Sequence, residues 1–290
     1  MRPLDVAAAT AVAFLWGSHF VVLKGGAFAE FPPLLFMAVR FAVVAAMMLP
    51  FIAWPRRDEF GPILVLSLIL GFGHFGLIAF SIDGLDAAVA IILTNTHTAF
   101  SAALAWLVFR ERLGLARAGG MALAFGGVVL IAGAPGSHQT LWPVLAALGA
   151  SIAWTVANFH VKRLPTHDGA MLNAWTALLA VPQLALGSVL FEQDKWSRLA
   201  AIDLVGISSL LYSALLVYIV GYRLWFWLLR RLPVNRAVPF TLLVPVFGIG
   251  LSAAFLDERL TLAFLGGAAA TMAGVALIVL LPEARGRAKF

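Results

Sequence analysis

Two stretches of this chain say the same thing at a fixed distance. Glu111-Arg112-Leu113 returns 147 residues later as Glu258-Arg259-Leu260, and Gly119-Gly120 returns as Gly266-Gly267. The same offset of 147 carries Gly127 to Gly274, Val128 to Val275, Leu130 to Leu277 and Ile131 to Ile278. In a chain of 290 residues that spacing leaves room for two copies of one unit and little else. A period of this size constrains the fold more than any local propensity does, because both copies must build the same structure. In an apolar chain it points to a transporter made of two related halves, here residues 1–138 and 139–290.

The chain is apolar enough for that reading. Hydrophobic residues make up 62% and charged residues 12%, against about 25% charge in a soluble domain. Mean hydropathy is +0.97. The apolar runs are continuous and about 20 residues long, which suits helices crossing a hydrocarbon core and excludes the alternating pattern of a membrane β-barrel. There are no cysteines, so disulfides and thiolate metal sites are excluded. The first apolar run is too long for a secretory signal and has no evident cleavage site, so it reads as a span.

Breakers such as Pro32-Pro33, Pro55-Arg56-Arg57-Asp58 and Pro165-Thr166-His167-Asp168 divide the chain into ten expected spans. They run over 4–24, 33–54, 62–83, 86–109, 115–134, 140–163, 168–191, 203–229, 234–256 and 261–281. The expected fold is an all-α polytopic membrane protein of ten transmembrane helices. With a cytoplasmic N-terminus, fourteen basic residues fall on the cytoplasmic side, among them Arg56, Arg57, Arg110, Arg112, Arg230, Arg231 and Arg285. Four fall outside: Lys24, Lys195, Arg198 and Arg259. The positive-inside rule therefore predicts both termini in the cytoplasm, and the +6 net charge reflects topology rather than nucleic-acid binding. Five spans per copy is an odd number, so the two five-helix repeats are expected to lie inverted in the bilayer.

Phe109-Arg110-Glu111-Arg112-Leu113 and Leu256-Asp257-Glu258-Arg259-Leu260, each leading into a glycine-rich helix, resemble the drug/metabolite transporter superfamily, and within it the EamA branch. The first helix of each copy also echoes, Trp16 to Lys24 against Trp154 to Lys162. The tryptophans and tyrosines within the spans make the chain most similar to the YddG-type exporters of aromatic amino acids. The resemblance implies a multi-pass protein of a bacterial inner membrane. It would export small neutral amphipathic metabolites, aromatic or hydrophobic amino acids foremost, by alternating access through a central cavity between the repeats.

None of the fourteen acidic residues falls at the centre of an expected span, which argues against a carboxylate proton relay. The candidate binding residues are polar or aromatic instead. Trp16, His19 and Phe20 share a face of the first span, and Trp154 and Asn158 share one of its counterpart. Within Thr94-Asn95-Thr96-His97-Thr98, the most polar stretch inside any span, Asn95 and Thr98 share a face. An unpartnered amide in hydrocarbon costs several kcal/mol, so Asn95 must face a partner helix or a wet cavity. His74, Trp175, Tyr218, Tyr222 and Thr241 complete the substrate-binding set. Aromatic rings there can stack on a substrate ring or hold its ammonium. Gly71, Gly73 and Gly76 with Pro182, Pro239 and Pro245 are the expected hinges. Arg40 and Arg223 also lie within spans and are expected to reach toward the ends.

No catalytic constellation, metal site or cofactor motif stands out. Gly71-Phe72-Gly73-His74-Phe75-Gly76 matches a dinucleotide fingerprint in letters only, since it lies inside a span with no preceding strand. The expected partners are a small-molecule substrate and the lipid bilayer. A homo-oligomer is compatible with the small-residue ridges at Ala118, Ala122, Gly126 and at Gly266, Ala270, Gly274. Two other readings stay open: an exporter of nucleotide sugars or other metabolites, and a polytopic membrane enzyme. Because the chain has no native cysteine, topology is testable without background. Single cysteines at positions 111 and 258 are expected to react with impermeant thiol reagents from opposite faces of the membrane.

Overall fold

The computed structural model describes residues 2–51, 53–109, 114–132, 141–161, 163–164, 169–232, 237–258 and 260–280. Among them there are eleven main helices and no strand. They are α1 (Pro3–Ala27), α2 (Pro33–Met48), α3 (Arg57–Gly84), α4 (Ala87–Asn95), α5 (His97–Phe109), α6 (Leu115–Ala132), α7 (Leu141–Val161), α8 (Gly169–Phe191), α9 (204–231), α10 (Leu243–Phe255) and α11 (Leu262–Leu280). Eight helical stretches are long and apolar enough to cross a membrane, with α4 and the start of α5 counting as one of them.

Two of the expected spans are shorter. Helix α2 has 16 residues, about 24 Å at 1.5 Å per residue, and ends where Pro50 tightens the chain into a 3-10 turn at Leu49–Phe51. Within the expected span 234–256, where residues 234–236 lie outside the described ones, a 3-10 stretch at Val238–Leu242 that holds Pro239 leads into the helix Leu243–Phe255. Elsewhere three helices widen into π turns without breaking: Leu23–Ala27 in α1, Leu68–Gly76 in α3 and Tyr212–Val220 in α9.

The most intimate helix pair is α6 with α11, and glycine is the reason. A Cβ on Gly120 would sit 2.8 Å from the carbonyl oxygen of Gly274, and one on Gly267 would sit 2.7 Å from that of Gly127. Position rises along one helix as it falls along the other, so the pair is antiparallel. Gly120 and Gly267 are counterparts at the 147-residue offset, as are Gly127 and Gly274, so the two contacts are copies of each other. Between them the Thr271 hydroxyl donates to the carbonyl of Ala124, its own counterpart, at 3.2 Å. The partner glycine of each Gly-Gly pair behaves differently, because Gly119 and Gly266 have nothing near their missing Cβ. One glycine of each pair therefore serves the crossing. Gly17 serves another, where α1 lies so close to α10 that a Cβ would be 2.6 Å from the Val244 carbonyl oxygen.

Carboxylates tie the helix ends together. Glu258, the acid of the second repeated motif, accepts from the backbone N–H groups of Ala87 and Ala88 at 2.5 and 3.1 Å. It thereby caps α4 from a distant part of the chain, where the free N–H groups and the helix dipole favour an anion. Its counterpart motif, Glu111-Arg112-Leu113, lies outside the described residues. Glu192, just past α8, caps α2 in the same way through Leu34 N–H at 2.9 Å. Burial pushes its carboxyl up from the ordinary range, and the N–H groups of Leu34 and Leu35, the Ser188 hydroxyl and Lys195 pull it back. At this end Asp83 also pairs with Lys195 at 2.5 Å and Arg198 at 3.6 Å. A cavity of about 270 Å³ opens beside that pair, lined by Lys24, Phe28, Ala29, Asp83 and Arg198. At the opposite end Arg231 pairs with Asp5 at 3.4 Å.

The glycine crossing separates two neighbouring substitutions. Gly120→Val is expected to lower stability by about 1–3 kcal/mol through overpacking, read as a fall in the detergent melting temperature. Gly119→Val should leave the melting temperature unchanged.

Candidate functional site

The site is a continuous run of rings through the middle of the bundle. Trp16, midway along α1, packs on Trp225 at 5.5 Å between centroids and on Tyr222 at 5.4 Å. Tyr222 meets Tyr218 at 5.0 Å, and Tyr218 meets Phe75 at 6.4 Å. Phe75 meets His74 at 4.7 Å, His74 meets Trp154 at 4.8 Å, and Trp154 meets His97 at 6.3 Å. Five helices supply these eight rings: α1, α9, α3, α7 and α5. Trp16 and Trp154 stand near opposite ends of the run, one from each copy of the sequence repeat.

The π turns place the central members. Tyr218 belongs to the widened part of α9, and His74 and Phe75 to that of α3. A π turn inserts an extra residue and rotates the side chains beyond it, a device often found at functional positions. Gly71, Gly73 and Gly76, expected as hinges, all fall in the α3 turn. Gly71 and Gly76 are buried against α8, where a Cβ would meet Ala180 and Leu184 respectively.

At the centre of the run lies Arg40, eighth of the sixteen residues of α2 and 1% exposed. The expectation that it reaches toward a membrane end is overturned. Its guanidinium carbon lies 4.5 Å from the Phe41 ring centroid, 4.8 Å from Phe75 and 5.7 Å from Tyr218. Such cation–π contacts contribute about 0.5–2 kcal/mol each. They hold the charge inside and remove the need to reach for water. Nη1 lies 3.4 Å from His19 Nε2 and 3.5 Å from Ser213 Oγ, and His19 Nε2 is 2.8 Å from Ser213 Oγ. Arg223 faces outward and is exposed, so the basic residue beside Tyr218 and Tyr222 is Arg40.

Next to the rings the α4–α5 connection breaks at Thr96, and polar side chains absorb the broken backbone bonds. The Asn95 amide donates to Ile91 O at 2.8 Å, and the Thr96 hydroxyl donates to Leu93 O at 2.6 Å. His97 Nδ1 meets Thr94 O at 2.9 Å. From α7, Ser151 donates to the carbonyls of Leu93 and Thr94, both at 3.0 Å, and Thr155 donates to His97 O at 3.1 Å. Position 96 is the counterpart of Leu243, where the 3-10 stretch gives way to α10. Both copies thus interrupt the same helix at the same register, one with hydroxyls and an amide, the other with proline. The polar run Thr94 to Thr98 is the visible sign of this break. Asn95 is half-buried and its Oδ1 makes no hydrogen bond among the described residues.

The other expected residues distribute as follows. His19 is buried on Ser213 and Arg40, with Phe20 beside it at 6.3 Å. Thr98 and Thr241 are half-buried beside the break in each copy. Asn158 is exposed and donates to Trp154 O at 2.8 Å. Trp175 is apart from the rings: it packs with Trp54 at 4.8 Å, donates to Ala53 O, and belongs to a separate cluster with Ile63, Leu66 and Leu172. Pro182 is exposed inside α8, Pro245 is buried in α10, and Pro239 is half-buried in the 3-10 stretch. Sequence reasoning missed Phe41, Phe75 and Ser213. Their signal was weak, since phenylalanine is common here and a lone serine in an apolar helix ordinarily bonds its own backbone.

Ser151→Ala removes a shared donor from the carbonyls of Leu93 and Thr94, which keep Thr96 and His97 as partners, and is expected to cost about 0.5–1.5 kcal/mol, seen as a lower melting temperature. Ser208→Ala, at an exposed hydroxyl bonded within its own helix, should have no effect.

Comparison with known proteins adds three findings. The model of the family described as "EamA-like transporter family" matches twice, over residues 5–133 and 141–280. Two curated relatives are named "Probable amino-acid metabolite efflux pump". The one from Salmonella typhimurium is 35% identical over 279 residues, spanning 91% of this chain and 91% of its own length. The one from Escherichia coli is 33% identical, spanning 92% of each. A solved structure described as "Crystal structure of protein" superposes with a TM-score of 0.63 at 17% identity, over 97% of this chain and 98% of that one, so the fold is shared.

Proposed function

The chain belongs to the EamA-like transporter family, and from that premise we propose that it exports neutral amphipathic metabolites, aromatic and hydrophobic amino acids foremost, across a bacterial inner membrane. The observation that carries this reading is the run of rings from Trp16 to His97, centred in the apolar helices and joined at its middle to a buried guanidinium. A zwitterion with an apolar side chain needs that mixture: ring faces for the side chain and a few fixed polar groups for the ends. The names of the Salmonella and Escherichia relatives, which concern amino-acid metabolites, support the same substrate class.

The mechanism belongs to this proposal. Ten spans form two inverted five-helix repeats, 1–138 and 139–290, and the substrate site lies between them. The antiparallel pairing of α6 with α11 through counterpart glycines supports the inversion, and so does the double match of the family model. The repeats rock about the site to open it to one face at a time. The helix interruptions at Thr96 and Leu243, the π turns in α3 and α9, and Pro182, Pro239 and Pro245 let the helices bend while doing so. Trp16, His19, Phe20, His74, Asn95, Thr98, Trp154, Tyr218, Tyr222 and Thr241 line the path. Asn158 stands at its margin, and Trp175 packs apart from it. Both termini face the cytoplasm.

Proteoliposomes holding the purified protein are expected to take up labelled phenylalanine and tryptophan above empty vesicles. Trp154→Ala should reduce that uptake about tenfold, the loss of roughly 1.4 kcal/mol of ring contact. Trp175→Phe, which keeps its separate cluster filled, should leave uptake intact. Uptake no greater than in empty vesicles would end the proposal.

A further inference from the structure

We infer that Arg40 is the anchor for a carboxylate on the transported molecule. This rests on the proposal that the ring run is the transport site.

Arg40 is only partly partnered. Among the described residues its Nε and Nη2 have no hydrogen-bond partner although both atoms are buried. The described ion pairs lie at the bundle ends, on Asp83 and Asp5, and none reaches Arg40. The surrounding groups satisfy only Nη1, through His19 and Ser213. A buried cation is stable when an anion and donors' partners complete its shell, and ring faces supply only part of that.

The two open nitrogens also have a specific geometry. Nε–H and one Nη2–H point the same way from the planar guanidinium, forming the side-on fork that takes both oxygens of one carboxylate in parallel bonds. The bonded Nη1 is on the other edge. The arrangement holds the plane of the guanidinium by one edge and by the rings of Phe41, Phe75 and Tyr218, while the fork is buried without a hydrogen-bond partner among the described residues. A side chain attached to that carboxylate would lie along the same rings.

Charge narrows the class of ligand. Arg40 is the one described basic residue in the ring run; Lys24, Lys195 and Arg198 are at the bundle end. A single guanidinium matches a single carboxylate better than a phosphate, which calls for several cations. No described carboxylate adjoins the rings to hold an ammonium. Recognition therefore depends more on the acid group than on the amine.

The test is a competition panel against labelled phenylalanine uptake, with the purified full chain in proteoliposomes. The competitors are 3-phenylpropionate, L-phenylalaninamide and phenethylamine. 3-Phenylpropionate, which keeps the ring and the carboxylate, should compete within a few-fold of phenylalanine. The amide and the amine should need at least tenfold higher concentration. Arg40→Gln should abolish this preference, weakening phenylalanine and 3-phenylpropionate at least tenfold while the amide competes as before. Arg40→Lys should restore part of it. Equal competition by acid and amide in the unmodified protein would overturn the inference, whether or not the variant folds. So would a folded Arg40→Gln that keeps the acid preference. If phenylalanine is not transported, the melting temperature in detergent separates the two ideas. A shift by 3-phenylpropionate that Arg40→Gln loses would uphold the anchor and discard the amino-acid reading; no shift would discard both.

Discussion

In hydrocarbon every backbone amide must find its partner within the protein, and this chain is built around the places where it does not use the ordinary helical one. An unpaired peptide group there costs several kcal/mol, so each interruption requires a compensating group at a fixed position. At Thr96 the compensation is a set of hydroxyls, an amide and an imidazole, some on the same chain segment and some lent by α7. At the start of α4 and α2 it is a carboxylate lent from elsewhere, Glu258 in one case and Glu192 in the other. These polar groups do more than close local accounts. They fix which helices adjoin, and so bring Trp154 and His97 into the same neighbourhood as Tyr218.

Where the backbone need is met by bulk removal rather than by polar atoms, glycine takes over. The α6–α11 crossing has carbonyl oxygens where side chains would otherwise be. The Gly-Gly motifs were plain in the sequence as part of the repeat, and a close helix contact was legible only in the small-residue ridges, of which Gly274 makes one and Gly126 and Gly266 do not. Which glycine of each pair made it was not legible, since that depends on the rotation of the helix toward its neighbour. The offset of 147 gave the counterpart relation but not the fact that counterparts touch.

The candidate site was legible in part for similar reasons. Trp16, Tyr218, Tyr222 and Trp154 were evident as rings inside spans, and the polar run at 94–98 pointed to a partner helix or a wet cavity. The π turn of α3 falls on Gly71, Gly73 and Gly76, which the sequence marked as hinges, whereas that of α9 left no local signature, because the residues of Tyr212–Val220 are ordinary apolar packing residues. Arg40 was misjudged by a rule that holds for a charge facing lipid. The rule fails where two further helices join the charge's own in supplying rings around it, and no window of sequence contains all of them. Trp175 shows the converse: an aromatic within a span, with a polar handle, that belongs to a separate packing cluster.

The Thr271 to Ala124 hydrogen bond joins unlike residues at like positions. These two positions are counterparts and they meet each other, so in a dimer of two identical chains they would be one residue facing itself. Two alanines there would offer no bond, and two threonines would bring two hydroxyls to the same narrow crossing. Donor on one side and bare carbonyl on the other is a solution open only to two copies that differ at this position. The crossing thus uses a difference between the two copies, which identical sequences would not offer.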